Sequence, residues 1–202
     1  MNKFVIMFFL IINACYLYCQ SSNNAIYNYN DSLKTLIVSF GENDIDKSYF
    51  LDSSCLKYVN VKTLSIWMEL DNKSDVYIKD SILPEFKKLE FLEIIRKNNG
   101  DFYLPKDLSM CVGLRGILID LGNGNNNFKD IPNEIIELPN LEFFDIVLSK
   151  GCGNKQLMSG LKRLISNSKS LKVININYKG KKFDELAEYA TKYNIKVNPG
   201  RR

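Results

Sequence analysis

A repeated apolar triplet is the sequence feature that most constrains how this chain can fold. Aliphatic residues recur in the spacing L-x-x-L-x-L, with a single phenylalanine among them. The six copies are Leu33, Leu36 and Val38; Val61, Leu64 and Ile66; Leu89, Leu92 and Ile94; Leu114, Ile117 and Ile119; Leu141, Phe144 and Ile146; and Leu171, Ile174 and Ile176. A period of 25 to 30 residues is typical of a protein whose units stack side by side and bury a shared core.

A second apolar pattern precedes most of the triplets, at ten, six and three residues before the first leucine. It comprises Leu51, Cys55 and Tyr58; Leu104, Leu108 and Cys111; Ile131, Ile135 and Leu138; and Leu161, Ile165 and Ser168. The spacing i, i+4, i+7 lies on one face of a helix. We therefore expect each unit to contain a short strand, a turn and a helical or irregular return segment. The pattern fails before Leu33, as is typical of an end cap.

These two patterns resemble the leucine-rich-repeat family over about residues 33–197. The most similar stretch runs from Phe128 to Leu141 and reads F-x-x-I-P-x-x-I-x-x-L-x-x-L. The resemblance implies an α/β solenoid of about six repeats, with a curved parallel sheet on the concave face and short helices and irregular segments on the convex face. The family's asparagine, eight residues after the first leucine, is replaced in every copy, so we expect irregular turns after the strands.

The chain is predicted to have four parts: a signal peptide at 1–19, an N-terminal cap or linker at 20–32, the solenoid at 33–181, and a C-terminal helix and cap at 182–202. Leu186, Ala187 and Ala190 have helical spacing in the last part, and Ile195 to Val197 can add a closing strand.

The N-terminus predicts export. A cationic start at Met1–Lys3 precedes nine apolar residues at Phe4–Ile12, the length of a signal-peptide core and half that of a membrane span. One interpretation is cleavage after Cys19 and secretion. The alternative is an envelope lipoprotein with a structural or adhesive role, acylated at Cys15, because the preceding residues resemble a lipobox. No second apolar run approaches 18 residues, so we expect no membrane span.

Composition argues against most enzyme classes. Histidine is absent, which removes the common nucleophile activation and zinc chemistries. The other cysteines, Cys55, Cys111 and Cys152, are odd in number and widely spaced, so we predict neither a disulfide scaffold nor a metal site. With 27 basic and 23 acidic residues spread along the chain, a nucleic-acid partner is not expected. No cofactor is predicted, and a hydrolase using only carboxylates remains the enzymatic alternative.

The positions two, four and six residues after each first leucine predict the functional surface. They should face solvent on the concave side and align in columns across the strands. The candidate partner-binding residues, with Arg96 at the edge, are Trp67, Phe91, Glu93, Ile95, Arg96, Leu118, Asp120, Phe143, Asp145 and Val147. An apolar patch with a few charges is typical of a protein-binding surface. The other interpretation is that these aromatic and β-branched residues only favour strands. We predict an exported, non-enzymatic protein that binds a protein partner.

Overall fold

The apolar triplets form successive strands of one large sheet. The computed structural model of the chain describes residues 17–20, 25–40, 49–51, 53–58, 60–68, 76–96, 102–120, 130–148, 155–177 and 180–200. The strands of the large sheet are β1 (Leu17–Gln20), β2 (Ala25–Asn30), β3 (Thr35–Phe40), β5 (Thr63–Met68), β7 (Phe91–Arg96), β9 (Gly116–Asp120), β10 (Phe143–Val147), β11 (Val173–Ile176) and β12 (Lys196–Pro199).

The large sheet is dominated by parallel pairing. Its nine strands follow chain order as β1-β2-β3-β5-β7-β9-β10-β11-β12. The β1–β2 and β2–β3 pairs are antiparallel, and every other neighbouring pair is parallel. Two neighbouring parallel strands must start at the same end of the sheet, so a long connection is needed between them, and the return segments provide it. The chain therefore has an α/β fold with a mostly parallel sheet.

The return segments contain a second, three-stranded parallel sheet and several short helices. The strands are β4 (Tyr49–Leu51), β6 (Val76–Ile78) and β8 (Phe102–Tyr103). The helices are α1 (Asn133–Ile136), α2 (Lys155–Asn167) and α3 (Lys181–Thr191), with 3-10 turns at Ser53–Lys57, Leu83–Glu85 and Leu108–Met110. Leu51, predicted to begin a helical face, lies instead in β4, because Tyr49, Phe50 and Leu51 favour an extended backbone.

One hydrophobic cluster joins the two sheets and the helices. It includes the triplet side chains of the large sheet together with Leu51, Cys55, Ile135 and Leu161 from the return segments. Every triplet position predicted to be buried is buried except Leu33, whose side chain is 41% exposed. Leu33 differs because it lies in the tight turn between β2 and β3, where no return segment precedes it.

A backbone hydrogen-bond pattern recurs where each parallel strand begins. The Lys34 carbonyl oxygen accepts bonds from the amides of Lys62 (2.8 Å) and Thr63 (3.2 Å). Four later carbonyl groups accept the same two bonds from the following repeat: Lys62, Glu90, Arg115 and Glu142. Because the donors always stand one and two residues after the first leucine, the copies are equivalent in backbone geometry as well as in sequence.

Both ends of the sheet depart from the repeat. In the N-terminal part, the predicted cleavage point after Cys19 falls inside β1, so this cleavage would remove three of its four residues. At the C-terminus the predicted helix and closing strand are present as α3 and β12, and Leu186 and Ala190 are buried. Within the described residues, no helix is both long and apolar enough to cross a membrane.

Candidate functional site

The site is built on the face of the large sheet that points away from the hydrophobic cluster, which we call the open face. Side chains alternate along a strand, so the residues between the buried triplet positions lie on this face. All three described α-helices contribute buried residues to the hydrophobic cluster, and they therefore lie on the opposite side of the sheet. No described helix covers the open face.

The strand register aligns the predicted columns as expected, except that Asn177, six residues after Leu171, lies beyond the end of β11. Thr35, Thr63, Phe91, Gly116, Phe143 and Val173 are successive partners across six strands. Ile37, Ser65, Glu93, Leu118, Asp145 and Asn175 form the second column. Ser39, Trp67, Ile95, Asp120 and Val147 form the third. Residues as far apart as Thr35 and Val173, which are 138 positions apart in the chain, thus share one surface.

Nine residues on β7, β9 and β10 form the centre of this surface, which we call the central patch. They are Phe91, Glu93 and Ile95; Gly116, Leu118 and Asp120; and Phe143, Asp145 and Val147. Eight of the ten predicted binding residues belong to the central patch. Trp67 lies beside it on β5, as the register partner of Ile95.

Arg96 does not belong to the open face. It pairs in register with Met68, and its side chain is 2% exposed on the side of the hydrophobic cluster. The physical reason is alternation: Arg96 stands two residues after Ile94 and has the same orientation. Its predicted place at the edge of the concave face is wrong.

The predicted solvent exposure of the open face is also too high. Ile95 is only 9% exposed and Ser65 only 2%, and the other central-patch side chains are half-buried, with Gly116 buried. Strands lie about 4.8 Å apart, so large side chains at neighbouring positions cover one another and the small residues between them.

Phe91 shows this covering directly. A Cβ atom built at Gly116 would lie 2.5 Å from Cδ1 and 2.7 Å from Cε1 of the Phe91 ring. The ring therefore leans from β7 across β9 and occupies the volume that any larger residue at position 116 would need. The missing side chain of Gly116 is thus what allows the ring of Phe91 to pack on β9.

A hydrogen-bonded chain connects Trp67 to Glu93. The indole Nε1 of Trp67 donates to Ser65 Oγ (2.7 Å), and the Ser65 hydroxyl donates to Glu93 Oε2 (2.9 Å). Burial raises the pKa of the Glu93 carboxyl, and the bond from Ser65 opposes part of that rise. Trp67 and Glu93 are thus held in fixed positions by a serine that is nearly inaccessible to solvent.

A second polar chain begins at Asp145 and runs toward the C-terminal edge. Asn175 Nδ2 donates to Asp145 Oδ1, and Asn198 Nδ2 donates to Asn175 Oδ1 (3.0 Å). Burial raises the pKa of the Asp145 carboxyl, and the Asn175 bond opposes part of the rise. Each carboxylate therefore has neutral hydrogen-bond donors on its outer side, while Leu118 lies between the two on β9.

Ser65, Asn175, Asn198 and Gly116 are the residues of this surface that the sequence analysis did not assign to the site. Ser65 and Asn175 stand in the same column as Glu93 and Asp145, and that shared position was the available signal. Asn198 joins this column only through the pairing of β12 with β11. Their role depends on hydrogen bonds between residues 23 to 30 positions apart, which the column alone does not specify.

The remaining candidate residues, the cysteines, lie away from the open face or outside the described residues. The thiols of Cys55 and Cys111 are buried, and burial raises the pKa of Cys111 to about 12. Cys15, Cys152 and the positions that replace the family asparagine lie outside the described residues. Among those described, no group of three histidine, cysteine or acidic side chains is placed to hold a metal ion.

Comparisons with known proteins add no relatives to this picture. No family model, no curated protein and no solved structure matches the chain.

Proposed function

We propose that this chain is an exported leucine-rich-repeat solenoid that binds a partner protein through the open face of its sheet. The single observation that carries the binding role is the central patch: apolar and acidic side chains aligned on three adjacent strands that no described helix covers.

Three regularities support the leucine-rich-repeat assignment. Each triplet supplies one strand, and these strands lie in the large sheet in the order in which they occur in the chain. Equivalent positions pair in register from β3 to β11. The same pair of backbone hydrogen bonds recurs at the start of five successive parallel strands. A sheet of this kind gains its stability from contacts between neighbouring units.

The composition of the central patch supports a role in binding a protein rather than a surface that contacts only solvent. Two phenylalanines, three aliphatic residues and three acids occupy eight of its nine positions, and Trp67 adjoins it. Aromatic side chains bury large areas at little conformational cost and are enriched at the energetic centres of protein interfaces. Their fixed positions, on strands paired on both sides, lower the entropy lost on binding.

The proposal includes export and assigns no catalysis. Export rests on the apolar run at Phe4–Ile12, which lies outside the described residues. A non-catalytic role follows from the absence of histidine and from the aliphatic side chain of Leu118, which lies between the two carboxylates Glu93 and Asp145.

The test is capture of a partner from the surface or secreted fraction of the native host, using the full chain as bait. A variant with Trp67→Ala, Phe91→Ala and Phe143→Ala is compared with a matched variant that removes three exposed apolar side chains elsewhere: Met110→Ala, Val112→Ala and Tyr193→Ala. Circular dichroism and thermal unfolding establish that both variants are folded.

We expect a partner that the original chain and the matched variant retain and that the open-face variant loses. A partner retained equally by all three proteins would show that the binding surface lies elsewhere. Loss from both variants would show that the interaction depends on general apolar exposure and not on the open face.

A further inference from the structure

The two half-buried carboxylates of the central patch have no cation beside them among the residues that the structure describes. Glu93 is bonded to Ser65 and Asp145 to Asn175, and in the described part of the chain neither is paired with a lysine or arginine. By contrast, Glu142, the residue before β10, contacts both Arg115 (2.9 Å) and Lys172 (2.8 Å). Within the described residues, the charges of Glu93 and Asp145 are therefore not neutralised by a basic side chain.

These charges also carry a cost to the folded chain. A carboxylate that is partly removed from water without a cationic partner destabilises the folded state. Both side chains nevertheless sit in the same column of the open face, separated by one strand, at Cα atoms roughly 10 Å apart. With Asp120 in the neighbouring column, the central patch holds three acids and no base, although the formal net charge of the chain is +4.

The surroundings of the two carboxylates favour one kind of cation. Leu118 lies between them, and Phe91 and Phe143 stand one position earlier on the same face of β7 and β10. A metal ion or an ammonium group is strongly hydrated and gains nothing from such a floor. A guanidinium group is weakly hydrated, packs its flat faces on apolar and aromatic side chains, and donates hydrogen bonds from its edge to carboxylates.

We infer that the open face binds a partner segment carrying arginine, whose guanidinium group lies over Leu118 and pairs with Glu93 and Asp145. This inference rests on the proposed function. Charge complementarity selects this occupant, because the central patch is acidic whereas the chain as a whole is basic. A second copy of the chain is the other outcome that the experiment below distinguishes.

The chain contains its own reporter for this site. Trp67 is the only tryptophan, and the Ser65 hydroxyl links its indole nitrogen to Glu93. A cation that pairs with Glu93 will change the field and hydrogen bonding around the indole. We would titrate the full chain with a peptide in which three arginines alternate with glycines and follow the tryptophan emission. The peptide is acetylated at its N-terminus and amidated at its C-terminus. Lysine and glutamate versions of the peptide serve as references.

The decisive variant is Glu93→Gln with Asp145→Asn, which keeps both side-chain shapes. Its matched control is Glu188→Gln with Asp184→Asn, which makes the same change in net charge on the exposed side of α3. We expect saturable binding of the arginine peptide, several-fold weaker binding of the lysine peptide, and a Kd at least about tenfold higher for the decisive variant only, as loss of one charge-assisted bond predicts.

Three results would overturn the inference. They are the absence of a saturable change up to about 1 mM arginine peptide, equal affinities of the decisive and control variants, and equal affinities of the arginine and lysine peptides. Dimerisation of the free chain that the decisive variant abolishes, measured by sedimentation, would assign the face to a second copy instead.

The same decisive variant separates this inference from the proposed function. Suppose that the decisive variant retains the partner captured from the host, whereas the triple variant at Trp67, Phe91 and Phe143 loses that partner. The open face then binds a protein but does not recognise arginine. If the triple variant also retains the partner, the proposed function itself is wrong.

Discussion

The packing of Phe91 over Gly116 gives the sharpest test of the open-face structure. In a Gly116→Ala variant the new Cβ would lie 2.5 Å from the ring, whereas ordinary contact begins near 3.4 Å. The backbone of β9 is hydrogen-bonded on both sides, so the ring and not the strand must move. The closest ring atom has to shift by about 0.9 Å, and the ring will lift away from β9.

The magnitude follows from the contact that the ring loses. If Phe91 gives up about a quarter of the roughly 200 Å² that a phenylalanine buries, the cost is about 1.3 kcal/mol at ~25 cal/mol per Å². Replacing glycine by alanine in a strand contributes about 0.7 kcal/mol in the other direction. We therefore expect Gly116→Ala to lower the free energy of unfolding by about 0.6 kcal/mol.

A double-mutant cycle isolates this contact. In a Phe91→Ala background there is no ring to displace, so Gly116→Ala should raise the free energy of unfolding by about 0.7 kcal/mol, which gives a coupling of about 1.3 kcal/mol in urea denaturation. Gly180→Ala is the control: its φ of +110° disfavours alanine, nothing lies within 4 Å, and its effect should not depend on Phe91. A coupling below about 0.3 kcal/mol would refute the packing of Phe91 over Gly116.

Three further predictions follow from burial and charge. Leu114→Ala should cost about 2–5 kcal/mol in urea denaturation, because Leu114 is fully buried, whereas Leu33→Ala at the equivalent repeat position should cost less than about 0.5 kcal/mol. Glu93→Gln should raise the free energy of unfolding by ~0.5–1 kcal/mol at pH 7. Burial raises the pKa of Glu93, so the protonated carboxyl is favoured in the folded state, and the original chain loses stability as the pH rises through the folded pKa. Below the ordinary pKa, at about pH 4, the carboxyl is neutral in both states, and the stability advantage of Glu93→Gln should vanish. Cys55 and Cys111 should resist thiol reagents in the folded chain and react after unfolding, as peptide mass spectrometry will show.

Each of these has an opposite outcome. Equal losses for the two leucine variants would mean that Leu33 is packed like the other first leucines. A Glu93→Gln advantage that grows as the pH falls would mean that the carboxyl is stabilised in its charged form. Rapid labelling of Cys111 in the folded chain would place its thiol in solvent.

The strand register could be predicted from the sequence because the repeat offset fixes it. Once Leu36 and Leu64 both face the core three residues after a first leucine, pairing them with a shift of one residue would expose one of them, and a shift of two would separate the equivalent positions of the repeat. The inward side chain of Arg96 was predictable for the same reason, since it has the parity of Leu92 and Ile94. Its positive charge suggested a surface place, but alternation along β7 decides the outcome.

The second sheet left a weaker signal in the sequence. Its strands are two or three residues long and consist of aromatic and aliphatic residues at Tyr49–Leu51, Val76–Ile78 and Phe102–Tyr103. Stretches this short fit a helical face and a strand about equally well. The stacked rings of Tyr77 and Tyr103, with centroids 4.4 Å apart, result from a pairing that becomes visible only when the repeats are stacked.

The details of the open face depend on neighbours that are distant in the chain. Phe91 leans over β9 because residue 116 is a glycine, and Glu93 is fixed because residue 65 is a serine. A column assigns these residues to adjacent strands, but the rotamer that each one adopts depends on the size of the other. The burial of Ile95 follows from the same mutual covering and could not be read from alternation alone.

The size of the open face limits how a partner can use the central patch. Each position occupies roughly 4.8 Å between strands and 6.6 Å along a strand, so nine positions project to only about 290 Å². A stable interface buries about 800 Å² on each partner. A partner bound at the central patch must therefore extend over the strands on either side, where Trp67 and Ser65 lie on β5 and Asn175 on β11. Because binding energy concentrates at the centre of an interface, substitutions at Phe91, Leu118 and Phe143 should weaken binding far more than substitutions on the outer strands, at Ile37 on β3 or Val173 on β11.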